Sequence, residues 1–243
     1  GVRALEGQSG RWHITAILAC VAGMACKESM ITAPVMLGLY DYVFVVRPAL
    51  RKVRRVRLYA GLAMSWVVLA ALMSSTSRAT VGLGLHISPW TYLLNQAPIL
   101  LTYLRLTFWP RNLVLDYGSP QQLSLSDVLL PLMVVTALVA VVVVLLVRRP
   151  QAGFLGAWCF ITLSPTSSFV PIATEVGAER RMYLALAGLV VLVVLGAYRA
   201  WTLRVGSQRP AVLIAAAATV CLALAAATYK RNSEYQTAVS IMK

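Results

Sequence analysis

Residues 47–57 read RPALRKVRRVR, six Arg or Lys without an acid, and apolar runs flank them on both sides. A short basic connector between two hydrophobic helices sets orientation, because such loops stay on the cytoplasmic face of a bilayer. Both neighbouring runs must then cross a membrane, and the rest of the chain threads from them. Composition agrees: 59% of residues are hydrophobic and 12% charged, where a soluble domain carries about 25% charged residues. In hydrocarbon only helices and closed barrels satisfy their backbone groups. The run Val128 to Val147 is continuously apolar and lacks the alternation of a barrel strand. The expected fold class is therefore all-α, a polytopic transmembrane helical protein. The net charge of +14 comes from 22 basic against 8 acidic residues. In a soluble protein that excess would suggest nucleic acid. Here the bases lie between apolar runs, so membrane lipids are the expected partners and nucleic acid is not.

Threading from the basic loop predicts seven crossings, at 14–26, 30–46, 58–73, 128–147, 154–163, 183–197 and 211–227. The other inner connections carry Arg148, Arg149, Arg199, Arg204 and Arg209 and no acid, although only the first loop was used to set the orientation. Residues 1–228 form the transmembrane domain. Within it, 74–126 is an interfacial connection whose apolar stretch 97–109 suits an interfacial or re-entrant helix. Trp90, Tyr92, Tyr103, Trp109 and Tyr117 belong at headgroup level. Residues 229–243 form an extracytoplasmic tail. The four cysteines sit in or beside apolar helices and read as small packing residues. His13 and His86 are isolated, which argues against a histidine metal site; no cofactor is assigned, and a divalent cation is left open. The chain opens without Met or a signal peptide and reads as a piece of something longer.

Polar groups gather at the outer ends of the spans. Lys27 and Glu28 lie between two apolar runs; ionisable groups at membrane depth are costly and are usually paired or functional. Pro110 ends the 97–109 helix and leaves Arg111 and Asn112 at the surface, with Arg105 before them and Asp116 and Tyr117 after. Ser164–Pro165 precedes Glu175, Glu179, Arg180 and Arg181, where a span begins on the side that normally disfavours bases. Arg binds phosphate through a planar fork of parallel donors. The expected phosphate contacts are Arg180, Arg111, Lys27 and Arg105, with Glu179, Glu28 and Asp116 as orienting acids. The bland reading of the same groups is interfacial ion pairs and snorkelling arginines. No nucleotide, zinc-protease or serine-hydrolase motif is present.

Four stretches carry a family resemblance: Cys26–Lys27–Glu28 with Pro34 and Asp41, Tyr103–Leu104–Arg105–Leu106 through Trp109–Pro110 to Asp116–Tyr117, Leu163–Ser164–Pro165 through Phe169–Pro171, and Glu179–Arg180–Arg181–Met182–Tyr183–Leu184. Together they resemble the membrane O-mannosyltransferase-like proteins that carry tetratricopeptide repeats. The resemblance implies the multispanning glycosyltransferase (GT-C) architecture. It implies transfer of a sugar, mannose in the family, from a polyprenyl-phosphate donor to a Ser or Thr hydroxyl of a protein acceptor on the extracytoplasmic side. It also implies a key acid in a loop upstream of Gly1, leaving the catalytic residue unassigned, and repeats beyond Lys243, to which the tail would lead. The Arg and Ala content leans towards a bacterial inner membrane.

Two other classes compete. A lipid-linked substrate transporter or flippase would use the same outer charges but needs polar groups through the membrane, which Val128 to Val147 and Ala211 to Ala227 scarcely offer. A non-catalytic membrane anchor for a repeat domain would not need the paired charges at all.

Overall fold

The protein is described by a computed structural model covering residues 1–5, 10–45, 52–75, 88–110, 114, 117–167, 175–205 and 210–234. No strand occurs among these residues. The helices are α1 Val2–Leu5, α2 Gly10–Cys26, α3 Ala33–Tyr40, α4 Lys52–Ser75, α5 Pro89–Phe108, α6 Leu125–Arg148, α7 Pro150–Leu163, α8 Met182–Val205 and α9 Pro210–Glu234. The chain divides into two units, Gly1–Leu192 and Val193–Lys243.

In the first unit α2 packs on α4 through Cys20, Met24, Leu58, Leu62 and Leu69, with Leu5 of α1 beside them. Ser65 is fully buried here; its hydroxyl donates to the Leu62 carbonyl and lies 3.5 Å from the Cys20 sulfur. That local bond removes the cost of an unpaired hydroxyl between the two helices. A π-helical turn, Asp41–Val45, follows α3, and the Tyr59 hydroxyl of α4 donates to Asp41 at 2.9 Å. The Trp66 indole likewise donates to the Ile31 carbonyl at 3.0 Å.

The α6–α7 hairpin has a local cause at each end. At the start of α6 the Ser124 N–H donates to the Asp127 carboxylate at 2.9 Å, one half of a capping box. At the turn, Pro150 opens α7 in the position where its missing N–H costs nothing. Gly153 lets the two helices close, since a Cβ there would collide with the Leu146 backbone nitrogen. Trp158 joins α7 to α8 by donating to the Leu184 carbonyl at 2.9 Å.

Helices stand at all seven places the sequence marks, and among the described residues four are long and apolar enough to cross a membrane: Val56–Ser74, Leu125–Arg148, Glu179–Arg204 and Ala211–Asn232. The other three places hold shorter helices. Helix α7 has 14 residues, about 21 Å at the usual rise, against about 30 Å of hydrocarbon. The other two short places are Arg11–Cys26 and Ser29–Val45. One side of α6 carries exposed apolar side chains; Leu130 is 70% and Val147 74% exposed. A continuous apolar face of this kind fits lipid and not water. In the second unit, α9 runs past Ala227 to Glu234, so residues 229–234, expected in the tail, continue the helix. Nothing between Thr228 and Glu234 breaks a helix, and the Thr228 hydroxyl bonds back to the Leu224 carbonyl.

Because the obstacle at Gly153 is backbone, which has no rotamer to yield, Gly153→Ala should part α6 from α7. A loss of about 1–3 kcal/mol is expected, read as a lowered thermal midpoint in detergent beside an unchanged Gly196→Ala control, whose site is open.

Candidate functional site

Helix α5 is longer than the apolar stretch from which it was expected, and it buries one face. Ser88 caps its N-terminus by accepting from the Thr91 N–H at 3.0 Å, with Pro89 at the first helical position. The buried residues Tyr92, Asn95, Gln96, Ile99, Tyr103 and Leu106 recur at helical spacing. Their polar ends reach neighbouring connections. The Tyr92 hydroxyl donates to the Thr166 carbonyl at 2.9 Å, and Gln96 donates to the Val176 carbonyl at 3.1 Å. Asn95 both donates to the Gln121 carbonyl and accepts from its N–H. The Tyr103 hydroxyl donates to the Ala178 carbonyl at 2.9 Å and accepts the Ala178 N–H at 2.7 Å. An irregular segment has no ladder of its own, and a buried backbone group left unpaired costs about 1–3 kcal/mol. Side chains of α5 supply the missing partners. Gly177 allows the approach, because a Cβ there would meet Ile99 at 2.9 Å and the Tyr103 hydroxyl at 3.2 Å.

Residues Glu179–Arg181 form a 3-10 turn leading into α8. Arg181 is the buried member, its side chain 5% accessible. Its guanidinium donates to the Glu175 carboxylate at 3.2 Å, to the carbonyls of Thr166, Glu175 and Val176, and to the Tyr92 hydroxyl. Arg180 faces outward, its side chain 69% accessible, and donates to the same Glu175 oxygen. One carboxylate thus serves two arginines, and the group keeps a net positive charge. Glu179 turns elsewhere: it accepts the Val114 N–H at 2.7 Å and the Tyr117 hydroxyl at 3.3 Å. Glu179 was expected to orient Arg180, but Glu175 makes that contact. The cause is the turn itself, since three residues per turn send successive side chains about 120° apart.

Burial, then the Glu179 charge and the bond to it, push the Tyr117 phenol up to about 12, while Arg105 pulls it down. Arg105, exposed on α5, therefore belongs electrostatically to the same neighbourhood. Burial also raises the Tyr103 phenol. Beneath Glu179 lies a cavity of about 130 Å³ lined by Tyr103, Leu106, Thr107, Met182 and Leu186.

The expected residues divide as follows. Arg180, Glu179 and Arg105 share this neighbourhood. Lys27 is exposed after the end of α2, and among the described residues no bond or ion pair joins it to the Glu175–Arg181 group. Arg111, Asp116 and the Glu28 side chain lie outside the described residues. The sequence reading placed Glu175 and Arg181 in the outer-face group without giving either a role, read Tyr92 and Tyr103 as headgroup-level aromatics, and did not single out Gln96. The spacing of the four polar α5 residues on one helical face was the available signal. Among the described residues no cluster of three or more His, Cys, Asp or Glu could hold a metal ion. Compared with known proteins, the chain matches no family model, no curated protein and no solved structure.

The two adjacent arginines should behave oppositely on removal. Arg181→Ala takes a buried cation from the Glu175 carboxylate, which keeps Arg180, and leaves the Glu175 carbonyl without its guanidinium partner, while the Thr166 and Val176 carbonyls keep Tyr92 and Gln96. It should cost about 1–3 kcal/mol, whereas the exposed Arg180→Ala should cost about 0–1 kcal/mol, and thermal unfolding of both measures the contrast. In Glu179→Gln the Tyr117 phenolate should appear at lower pH than about 12, towards the ordinary value of 10.0. A raised phenol favours the fold fully below pH 10.0, and that contribution is lost as pH rises through about 12. Difference absorbance against Tyr117→Phe reads the shift.

Proposed function

We propose that this chain is the membrane part of a polyprenyl-phosphate-sugar-dependent glycosyltransferase. It transfers a sugar, mannose by resemblance, to a Ser or Thr hydroxyl of a protein on the extracytoplasmic face, in a bacterial inner membrane. The observation that carries the reading is Arg180. Its guanidinium is largely open, yet Glu175 holds it, and it stands where a membrane-length helix begins. A cation held at that depth suits a lipid phosphate better than a soluble ligand, because the substrate's charge and the membrane surface then coincide.

The chemistry is displacement at the anomeric carbon. The acceptor oxygen bonds to that carbon as the bond to the phosphate oxygen breaks. The hydroxyl proton passes to a carboxylate that is not assigned to a residue of this chain. Charge grows on the departing lipid phosphate, and Arg180 and Arg105, with Arg111 and Lys27 as further expected contacts, would stabilise it. The leaving group is already a phosphate ester, so no nucleotide site is required.

The test is transfer from polyprenyl-phosphate mannose to a Ser/Thr peptide by the complete membrane-inserted protein. Arg180→Ala should lower the rate by a factor of about 100 or more, the scale of removing one donor from developing charge, while insertion and thermal midpoint hold. Transfer at the unsubstituted rate would remove Arg180 from the site. No transfer by the unsubstituted protein would overturn the reading.

A further inference from the structure

Two basic connectors of the chain meet at one end of the first unit. The Tyr59 hydroxyl of α4 reaches Asp41 at the end of α3. Phe44, in the π-helical turn Asp41–Val45, packs on Phe154 near the start of α7, with ring centroids 5.1 Å apart. Arg149 joins that start to the end of α6. The opening turns of α4, the Asp41–Val45 turn and the bend between α6 and α7 therefore share one face. It lies at the other end of α7 from Thr166 and Arg181.

Charge does not cancel on this face. Helix α4 opens with Lys52, Arg54, Arg55 and Arg57, and Arg148 and Arg149 close α6. Among the described residues of the first unit the acid at this end is Asp41, which is buried and accepts the Tyr59 hydroxyl at 2.9 Å. One acid against six bases leaves an excess of five positive charges, whichever base the acid meets. Arg57, Arg148 and Arg149 are exposed, and among the described residues none of them joins an ion pair. Their depth is that of lipid phosphates: the stretch Val56–Ser74 begins one residue before Arg57, and Leu125–Arg148 ends on Arg148. Basic recesses between helices at that level attract anionic headgroups.

Spacing selects among such headgroups. Helix α3 with its π-helical turn touches α4 on one side and α7 on the other, and packed helices stand about 8–10 Å apart. The bases of α4 and those of the α6–α7 bend thus flank the turn instead of forming one cluster. Between the flanks the rings of Tyr40, Phe44 and Phe154 touch one another, and Phe44 is 46% exposed. Aromatic rings at headgroup level suit the upper part of lipid chains. A lipid with one phosphate satisfies one flank. A lipid whose two phosphates are joined by a short glycerol bridge satisfies both, and its chains cover the rings between them.

We propose that this end of the first unit is a binding site for a diphosphatidyl lipid of the cytoplasmic leaflet. One phosphate lies at Arg148 and Arg149, the other at the start of α4, and the chains lie over Phe44 and Phe154. The site is separate from Arg180 and does not depend on the proposed transfer.

The experiment measures lipid binding to the full protein in phosphatidylcholine nanodiscs, with diphosphatidylglycerol and phosphatidylglycerol compared at equal phosphate. Diphosphatidylglycerol should bind about tenfold more tightly. Arg148→Gln with Arg149→Gln should remove that preference and bring both lipids to the same affinity. Arg55→Gln with Arg57→Gln, on the other flank, reads the same loss if the first pair does not fold. Equal binding of the two lipids by the unsubstituted protein would reduce the face to a general attraction for negative charge and overturn the proposal. A preference kept in a folded double variant would overturn it as well. Release of the bound lipid by millimolar inorganic phosphate would replace the lipid site by one for a free anion.

Discussion

The buried guanidinium of Arg181 holds the described end of the first unit together. A charge that is 5% accessible survives only where acceptors surround it. Here three backbone carbonyls, the Glu175 carboxylate and the Tyr92 hydroxyl meet that demand. The benefit is mutual. The described residues of the connection between α7 and α8 lack a ladder, and Arg181 with the α5 side chains gives the Thr166, Val176 and Ala178 carbonyls partners. Each such bond contributes only about 1 kcal/mol net, but leaving any of them unmade would cost more.

The orientation of the exposed groups follows from that buried framework. Glu175, drawn in by Arg181, presents the same oxygen to Arg180. Tyr103 grips both backbone groups of Ala178, the residue just before Glu179. Glu179 is then free to hold Val114 and Tyr117 on its other side. Two carboxylates four residues apart thus take different roles: one neutralises cations, and the other gathers neutral donors. Gly177 matters for the same reason, since the close approach to Ile99 and Tyr103 leaves no room for a side chain.

Much of this was legible in the residues and some was not. Apolar runs and basic connectors located helices at all seven places, because hydrophobic length and charge asymmetry are properties of the chain itself. Composition alone does not give helix length: Phe154 to Leu163 reads as a span by composition, and α7 there has 14 residues. The helix of α5 extended back to Pro89 through an interior Pro98, and the tail residues Thr228 to Glu234, which include no Pro or Gly, continued α9. Glu179 and Arg180 were recognised as unusual, but their pairing was misjudged. Adjacent charges look like partners in a sequence, and only the 3-10 geometry shows them diverging.

The sequence by itself determined that this chain is helical and built for a membrane. Hydrocarbon admits no alternative for such apolar runs, and positive residues between them carry the topology. It also marked where charge stands at a helix start against expectation. Tertiary structure alone decided which acid serves which arginine, and which of two neighbouring arginines is buried. It also brought residues of α5, α6, α7 and α8 around one apolar cavity. The acid's choice of arginine spans only five or six residues and follows the turn, while the burial of Arg181 and the cavity depend on contacts between distant segments, such as Arg181 with Tyr92.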